Sequence, residues 1–199
     1  PMHFATWLTQ CRLARAITLV CVTAPLGGLV TVVRAQDIDL GNLGDRGIRI
    51  DGIDQHDYSG FSVSGAGDVN GDGLADLIVG APGTEVDGDG AAGESYVVFG
   101  RSSGTSVDLA TLGTGGFRIS GFNVSDRSGF TVSGAGDVNG DGLADLVVGT
   151  SRSNPFGDGG AGQGYVVFGK ANNAPVDLAA LGSGGFGIDG IDAGDSLGW

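Results

Sequence analysis

The stretch from Val63 to Leu77 reads VSGAGDVNGDGLADL, and the same fifteen letters recur from Val132 to Leu146. Other landmarks keep this spacing: Asp39-Leu40 returns as Asp108-Leu109 and again as Asp177-Leu178. Self-similarity at a fixed period of tens of residues is typical of solenoids, propellers and repeat arrays. The sequence therefore predicts two full repeats and the start of a third. These repeats span 39–107, 108–176 and an incomplete 177–199.

Within each repeat, short segments carry the pattern of β-strands. Phe61 and Val63 alternate with polar residues, as in a half-buried strand. Leu77-Ile78-Val79 is a continuous apolar run, which favours a strand buried on both faces. Four such strands per repeat, separated by glycine, indicate an all-β fold of four-stranded antiparallel propeller blades. The expected strands are 60–66, 75–80, 94–99 and 116–120 in one blade and 129–135, 144–149, 163–168 and 185–189 in the next, with 47–52 as the outer strand of a neighbouring or closing blade.

The composition agrees with a glycine-rich β protein and excludes two classes. Of 199 residues, 41 are Gly, and the acidic residues are 21 Asp with only 2 Glu. Asp and Gly favour turns, whereas Glu favours helices. The hydrophobic share of 41% excludes a disordered acidic tail, and the net charge of −13 argues against a nucleic-acid partner. Both cysteines, Cys11 and Cys21, precede residue 36, so the rest of the chain has no disulfide and no cysteine metal site.

The nine residues DVNGDGLAD, at 68–76 and again at 137–145, carry the chemistry of the sequence. Side chains with oxygen stand at loop positions 1, 3, 5 and 9, and glycines at positions 4 and 6 permit the positive φ angles of a tight curl. The carbonyl at position 7 can add one more oxygen. This hard-oxygen set is typical of Ca²⁺, so the sequence predicts two calcium sites. The predicted ligands are Asp68, Asn70, Asp72, Leu74 and Asp76 in the first loop and Asp137, Asn139, Asp141, Leu143 and Asp145 in the second.

The loop opens like an EF-hand and then departs from it. Position 12 should be a bidentate Glu, and here it is Val79 or Val148, within a predicted strand. The sequence therefore predicts a calcium loop in a β-hairpin. The alternative is an Asp/Asn-Gly turn without an ion. Against that alternative, three carboxylates converge in each copy and would repel one another without a cation.

The amino end has the pattern of a secretory signal peptide over residues 1–35. Arg12 and Arg15 precede an apolar run at 16–33, and Val33-Arg34-Ala35 offers small residues at the −3 and −1 positions of a cleavage site. The alternative is a retained membrane anchor, but Pro25 interrupts the run. The expectation is a secreted or cell-surface chain whose mature part, 36–199, does not insert into a membrane.

These features resemble the FG-GAP repeats of the integrin α-chain β-propeller and of its bacterial relatives. The resemblance covers about 39–199, and the second repeat departs from it where Gly149-Thr150-Ser151 replaces Gly-Ala-Pro. It implies a ring of about seven blades. Two blades and a fragment cannot close such a ring, so the expectation is a chain truncated at Trp199, marginally stable or self-associating without the missing blades. The matching residues are Gly60–Val63, Asp68–Asp76, Leu77–Pro82 and Tyr96–Phe99.

The resemblance implies a calcium-stabilised propeller segment that binds a protein or glycan ligand in adhesion. Two alternatives stay open: the non-catalytic propeller part of a secreted hydrolase whose catalytic domain lies outside this chain, and a passive structural array at a surface. No catalytic residue is predicted. Gly194–Gly198 matches an esterase signature, yet the repeat register explains it as the lead into a strand.

Overall fold

The computed structural model describes residues 39–199 except 87, 89, 103, 105 and 154–159. The chain divides into two units between Asn42 and Leu43. In the first unit only 39–42 are described, as a turn in which the Asn42 N–H donates to the Asp39 carbonyl at 3.0 Å. The predicted signal peptide, 1–35, lies outside the described residues. Among those that are described, no helix is long and apolar enough to cross a membrane.

The second unit is all-β in its described part, with only three-residue 3-10 helices between the strands. The strands are β1 (Ile50–Asp51), β2 (Ser62–Gly67), β3 (Asp76–Ala81), β4 (Glu94–Val98), β5 (Val107–Asp108), β6 (Gly116–Ser120), β7 (Ser128–Gly136), β8 (Asp145–Thr150), β9 (Gln163–Val167), β10 (Val176–Asp177) and β11 (Gly185–Asp189). The 3-10 helices are Gly44–Arg46, Leu109–Thr111, Gly113–Gly115, Leu178–Ala180 and Gly182–Gly184. Their shortness follows from the many glycines and the near absence of Glu.

Eight of these strands form two antiparallel blades. The first blade has the order β2-β3-β4-β6, with β10 added in parallel at its outer edge, and the second has the order β7-β8-β9-β11. Each outer strand, β6 or β11, comes from the beginning of the next sequence repeat. The boundaries of the blades therefore do not coincide with the boundaries of the sequence repeats. The strands predicted from the sequence show the same offset. The prediction of four-stranded propeller blades is confirmed.

Residues 50–51 take the position of an outer strand. β1 pairs in parallel with β5, and one repeat later β6 pairs in parallel with β10 in the same register. The partners are Ile50 with Val107 in the first pair and Ile119 with Val176 in the second. Inner strands for a blade around β1 are not found among the described residues.

One core cluster lies between the two blades, and a second covers the opposite face of the first blade. Ile78 and Ile119 of the first blade pack in one cluster with Leu146 and Val148 of the second, and all four are 0% exposed. Where the two blades meet, a Cβ atom on Gly80 would lie 2.1 Å from the Gly129 carbonyl oxygen. The blades can approach this closely only because Gly80 has no side chain.

The apolar run in β3 is buried on only part of its length. Ile78 faces the second blade and Val79 packs on the opposite face, but Leu77 is 42% exposed, so the expectation of a fully buried run is wrong at that residue. Its equivalent in the second blade, Leu146, is buried because it faces the first blade. The outer face of the second blade likewise leaves Ile188 46% exposed.

Candidate metal centre

Both nonapeptide loops lie at the same end of the blades, where each joins the first strand of a blade to the second. The hairpin placement predicted for them is confirmed. Gly71 and Gly73 have φ angles of 79° and 85°, and Gly140 and Gly142 have 78° and 91°. These are left-handed values that side chains rarely adopt, which explains the glycines at loop positions 4 and 6.

The carboxylate at position 1 organises the curl. In the first loop, Asp68 Oδ1 accepts from the N–H of Gly71 at 2.8 Å and of Asp72 at 3.0 Å. Asp68 Oδ2 accepts from the Gly73 N–H at 2.9 Å. Asp137 makes the same three bonds in the second loop. Each loop is thus wrapped around one carboxylate by its own backbone amides, a local interaction that the nonapeptide encodes by itself.

Positions 3 and 5 join this arrangement. Asn70 Oδ1 accepts from the Asp72 N–H at 2.9 Å, and the Asn70 amide group donates to Asp72 Oδ2 at 2.9 Å. Asp72 Oδ1 in turn accepts from the Leu74 N–H at 2.8 Å. The structure therefore brings Asp68, Asn70 and Asp72 together, since oxygens of the first two share one N–H donor. The second loop repeats these bonds with Asn139, Asp141 and Leu143.

Position 9 is turned into the protein. Asp76 is 1% exposed, and its two oxygens accept from the backbone N–H of Val69 at 2.8 Å and of Gly100 at 2.7 Å. Burial raises the pKa of Asp76, the two N–H donors lower it, and the Asp72 and Asp68 carboxylates raise it further. Asp76 thus ties the loop to the residue that follows Phe99. The sequence analysis missed this clamp, although its signal is present in the repeated Phe-Gly pair.

The same clamp exists in the second loop. Asp145 is 0% exposed and accepts from the N–H of Val138 at 2.7 Å and of Gly169 at 2.8 Å. Its partner Gly169 is the equivalent of Gly100 in the next repeat, so the clamp follows the period of the sequence.

The side-chain oxygens of both loops are suitable ligands for a hard cation, although they also accept hydrogen bonds from backbone N–H groups. Across the described residues, no group of three or more His, Cys, Asp or Glu side chains is close enough together to hold a metal ion. Each carboxylate oxygen has two lone pairs. Asp72 and Asp76 each use one lone pair per carboxylate oxygen in these hydrogen bonds, and Asp68 keeps one lone pair free on Oδ2. Free lone pairs therefore remain on every predicted carboxylate ligand of the first loop.

The two identical loops have different surroundings. In the first loop the carbonyls of Asp68 and Val69 accept from the N–H of Ala144 and Lys170, each at 2.9 Å, and both donors belong to the second blade and its following turn. Val69 is fully buried, whereas its equivalent Val138 is 51% exposed. The Lys170 ammonium also lies 4.2 Å from the centre of the Phe117 ring. Burial lowers the pKa of Lys170.

A second polar cluster lies at the opposite end of the first blade. Glu94 is 5% exposed and accepts from the Tyr96 hydroxyl at 2.5 Å and the Ser120 hydroxyl at 3.0 Å. Burial, followed by the bond to Glu94, raises the pKa of Tyr96. Asp57 is 8% exposed, and burial raises its pKa, with Asp54 and Glu94 among the carboxylates that raise it further.

Asp57 should make the chain less stable as the pH rises from acid to neutral. Its folded-state pKa lies above the ordinary value of 3.8, so the folded state binds more protons, and stability is lost as the pH passes through the folded pKa. We expect Asp57→Asn to flatten this decline in urea midpoints measured across the acid range. Asp192→Asn, an exposed control, should keep the original slope. Identical slopes in all three proteins would contradict the role of Asp57.

Comparison with known proteins connects this arrangement to a family. Residues 59–98 and 128–167 each match the FG-GAP repeat. The chain is 38% identical to integrin alpha pat-2 of Caenorhabditis elegans over 106 residues and 35% identical to integrin alpha-PS2 of Drosophila melanogaster over 107 residues. These matches cover 53% and 52% of this chain but only 8% and 7% of the relatives.

A relative of another kind matches more of the chain at lower identity. Phosphatidylinositol-glycan-specific phospholipase D of Dictyostelium discoideum is 26% identical over 174 residues, which is 80% of this chain and 18% of the relative. The chain therefore spans less than a fifth of each of these relatives.

Proposed function

Because residues 59–98 and 128–167 match the FG-GAP repeat and are similar to repeats of integrin α chains, we propose that this chain is a calcium-binding propeller segment of an adhesion-type module. The proposed segment is secreted or displayed at the cell surface, binds a protein or glycan ligand, and has no catalytic role. One observation carries the proposal. An identical oxygen-rich loop occupies the same hairpin in both matched repeats, with the same internal hydrogen bonds.

The proposed cation sites use this chain's own oxygens. Asp68, Asn70, Asp72, Asp76 and the Leu74 carbonyl would hold an ion in the first loop, and their equivalents would hold one in the second. Asp76 keeps one lone pair free on each oxygen for the ion, while its two hydrogen bonds keep the loop attached to the blade. A bound Ca²⁺ supplies the positive charge that offsets three carboxylates in one hairpin.

Calorimetric titration of the full chain tests this proposal. We expect binding of two Ca²⁺ ions, with dissociation constants of about 0.1–1 mM, as in extracellular modules of this ligand type. Asp72→Ala should reduce the stoichiometry to one, and the exposed control Asp192→Ala should leave it at two. An absence of binding heat in the folded wild-type chain would overturn the proposed sites and reduce both loops to turns.

A second candidate function has its own support in the phospholipase D relative. In that case the chain would be the non-catalytic propeller part of a secreted hydrolase. The match covers a larger share of this chain than the integrin matches, at lower identity. The gene sequence on both sides of residues 1–199 distinguishes the two functions. Further repeats alone favour the adhesion module, a catalytic domain favours the hydrolase, and dozens of repeats favour a passive array.

A further inference from the structure

Each nonapeptide loop contains an Asn-Gly pair, at Asn70-Gly71 and at Asn139-Gly140. We propose that Asn139 is a site of spontaneous deamidation, and that Asn70 is protected in the folded chain by contacts with the second blade. The fifteen residues around the two sites are identical, so their local chemistry is the same. Only the tertiary surroundings separate them.

The reaction needs nothing but water. The backbone nitrogen of Gly140 attacks the side-chain carbonyl carbon of Asn139, a new C–N bond closes a five-membered imide, and the side-chain nitrogen leaves as ammonia with the proton of the Gly140 N–H. Water then adds to either carbonyl of the imide and opens the ring. The products are aspartate and isoaspartate, and the net change is amide and water to carboxylate and ammonia. A glycine on the carboxyl side favours ring closure because it has no Cβ in the way.

The local geometry is nearly the same in both loops, and the one difference is that the Asn139 N–H also donates to Asp145 Oδ2 at 3.3 Å, a long bond that the Asn70 N–H lacks. The Asn70 and Asn139 side-chain carbonyls each accept from the N–H two residues ahead at 2.9 Å. This hydrogen bond bridges the glycine between its two partners. It therefore holds the side-chain amide next to the glycine nitrogen that attacks it. The attacking N–H of Gly71 or Gly140 donates to the first aspartate of its loop at 2.8 or 2.7 Å. Neither distance favours one loop over the other.

The surroundings are not the same. Ring closure requires the backbone at the asparagine to rotate, and in the first loop the two preceding carbonyls are held by Ala144 and Lys170. Leu143 also covers Gly71, since a Cβ there would lie 3.0 Å from its Cδ2 atom. In the second loop, no backbone donor from another repeat reaches the equivalent carbonyls within the described ranges. Asn139 is exposed and Asn70 half-buried.

The expected difference in rate is about tenfold, the ratio that applies if the two backbone hydrogen bonds together contribute about 1.4 kcal/mol, which is within the range for two such bonds. The consequence for the loop rests on the proposed calcium function. Aspartate at position 3 adds a fourth carboxylate to the ligand set, and isoaspartate adds one backbone methylene and displaces the later ligands. Modification of Asn139 would therefore alter the second calcium site and leave the first unchanged.

Tryptic mapping by mass spectrometry tests the inference on the full chain. Cleavage at arginine yields peptides 50–101 and 128–152, each with one Asn-Gly pair, so the two sites are measured separately. The folded chain is incubated in mildly alkaline buffer with chelator, and the amide-to-acid mass change is followed with time. We expect Asn139 to react about tenfold faster than Asn70. In guanidinium chloride the two rates should become equal. The matched variant Asn139→Gln should abolish the change in 128–152 and leave the rate in 50–101 unaltered.

Three results would overturn the inference: equal rates in the folded chain, a faster rate at Asn70, or a difference that persists in guanidinium chloride. An arm with excess Ca²⁺ keeps the proposed function separate. Slower reaction of both loops in Ca²⁺ supports the cation sites, whereas the ratio measured in chelator tests the blade contacts whether or not calcium binds.

Discussion

Chelation of calcium is expected to lower the free energy of unfolding of the full chain by about 3 kcal/mol. At about 1 mM free ion and a dissociation constant of about 0.1 mM, binding to the folded state alone contributes about 1.4 kcal/mol per site. Two sites contribute twice that amount, a large share of the stability of a small domain. Repulsion among three carboxylates in each hairpin adds to the loss. Thermal melting with and without chelator measures the effect.

Single substitutions separate the contributions of the two loops to stabilisation by calcium. Asp72→Ala and Asp141→Ala each remove a central ligand from one site, so each should abolish about half of the chelator-induced shift. Hydrogen exchange should show 68–76 and 137–145 loosening first when the ion is removed. The exposed control Asp192→Ala should retain the full shift. If chelator leaves the melting temperature unchanged in the wild-type chain and in every variant, a stabilising ion is excluded.

Truncation of Leu146 to alanine is expected to cost about 3 kcal/mol, because large-to-small changes in a closed core lose the transfer energy of the side chain and leave a cavity. Leu146 is 0% exposed and packs against the first blade. Leu77→Ala is the matched control, since Leu77 ends the same fifteen-residue sequence and is 42% exposed. Its cost should stay below about 1 kcal/mol.

Urea denaturation of both variants measures the difference between the two leucines. A large midpoint shift for Leu146→Ala and a small one for Leu77→Ala would show that the blade interface seen here forms in solution. Equal costs for the two substitutions would mean that one leucine is covered as well as the other. In that case the packing of the first blade on the second would need revision.

The blades were predictable because their signals are local and repeated. Alternation at Phe61 and Val63, the apolar run at Ile78 and Val79, and glycine between strands lead to bounds for the eight blade strands that agree with the structure within two residues. The outer strand expected at 47–52 is shorter and begins only at Ile50. The offset between blades and repeats could also be predicted, because the pattern of the outer strand at 116–120 recurs in all three repeats. Less accessible was β5, a two-residue strand whose partner β1 is separated from it in the sequence by the three strands β2, β3 and β4.

The candidate site was only partly predictable. Asp68, Asn70 and Asp72 lie together as expected, because their hydrogen bonds remain within six residues of one another. Asp76 takes a further role as a clamp on Gly100, a contact across 24 residues that the nonapeptide does not contain. Calcium binding by these residues remains a prediction.

The identical segments at 63–77 and 132–146 show which features follow from the sequence alone and which depend on the tertiary structure. The sequence by itself determined the curl of both loops, because glycines with positive φ and short side chains that accept from nearby backbone N–H groups need no distant partner. Only the tertiary structure decided which copy is covered. Val69 is buried where Val138 is half exposed, and Leu146 is buried where Leu77 is not. Burial depends on which chain segment lies opposite, and that segment comes from a different blade for each copy.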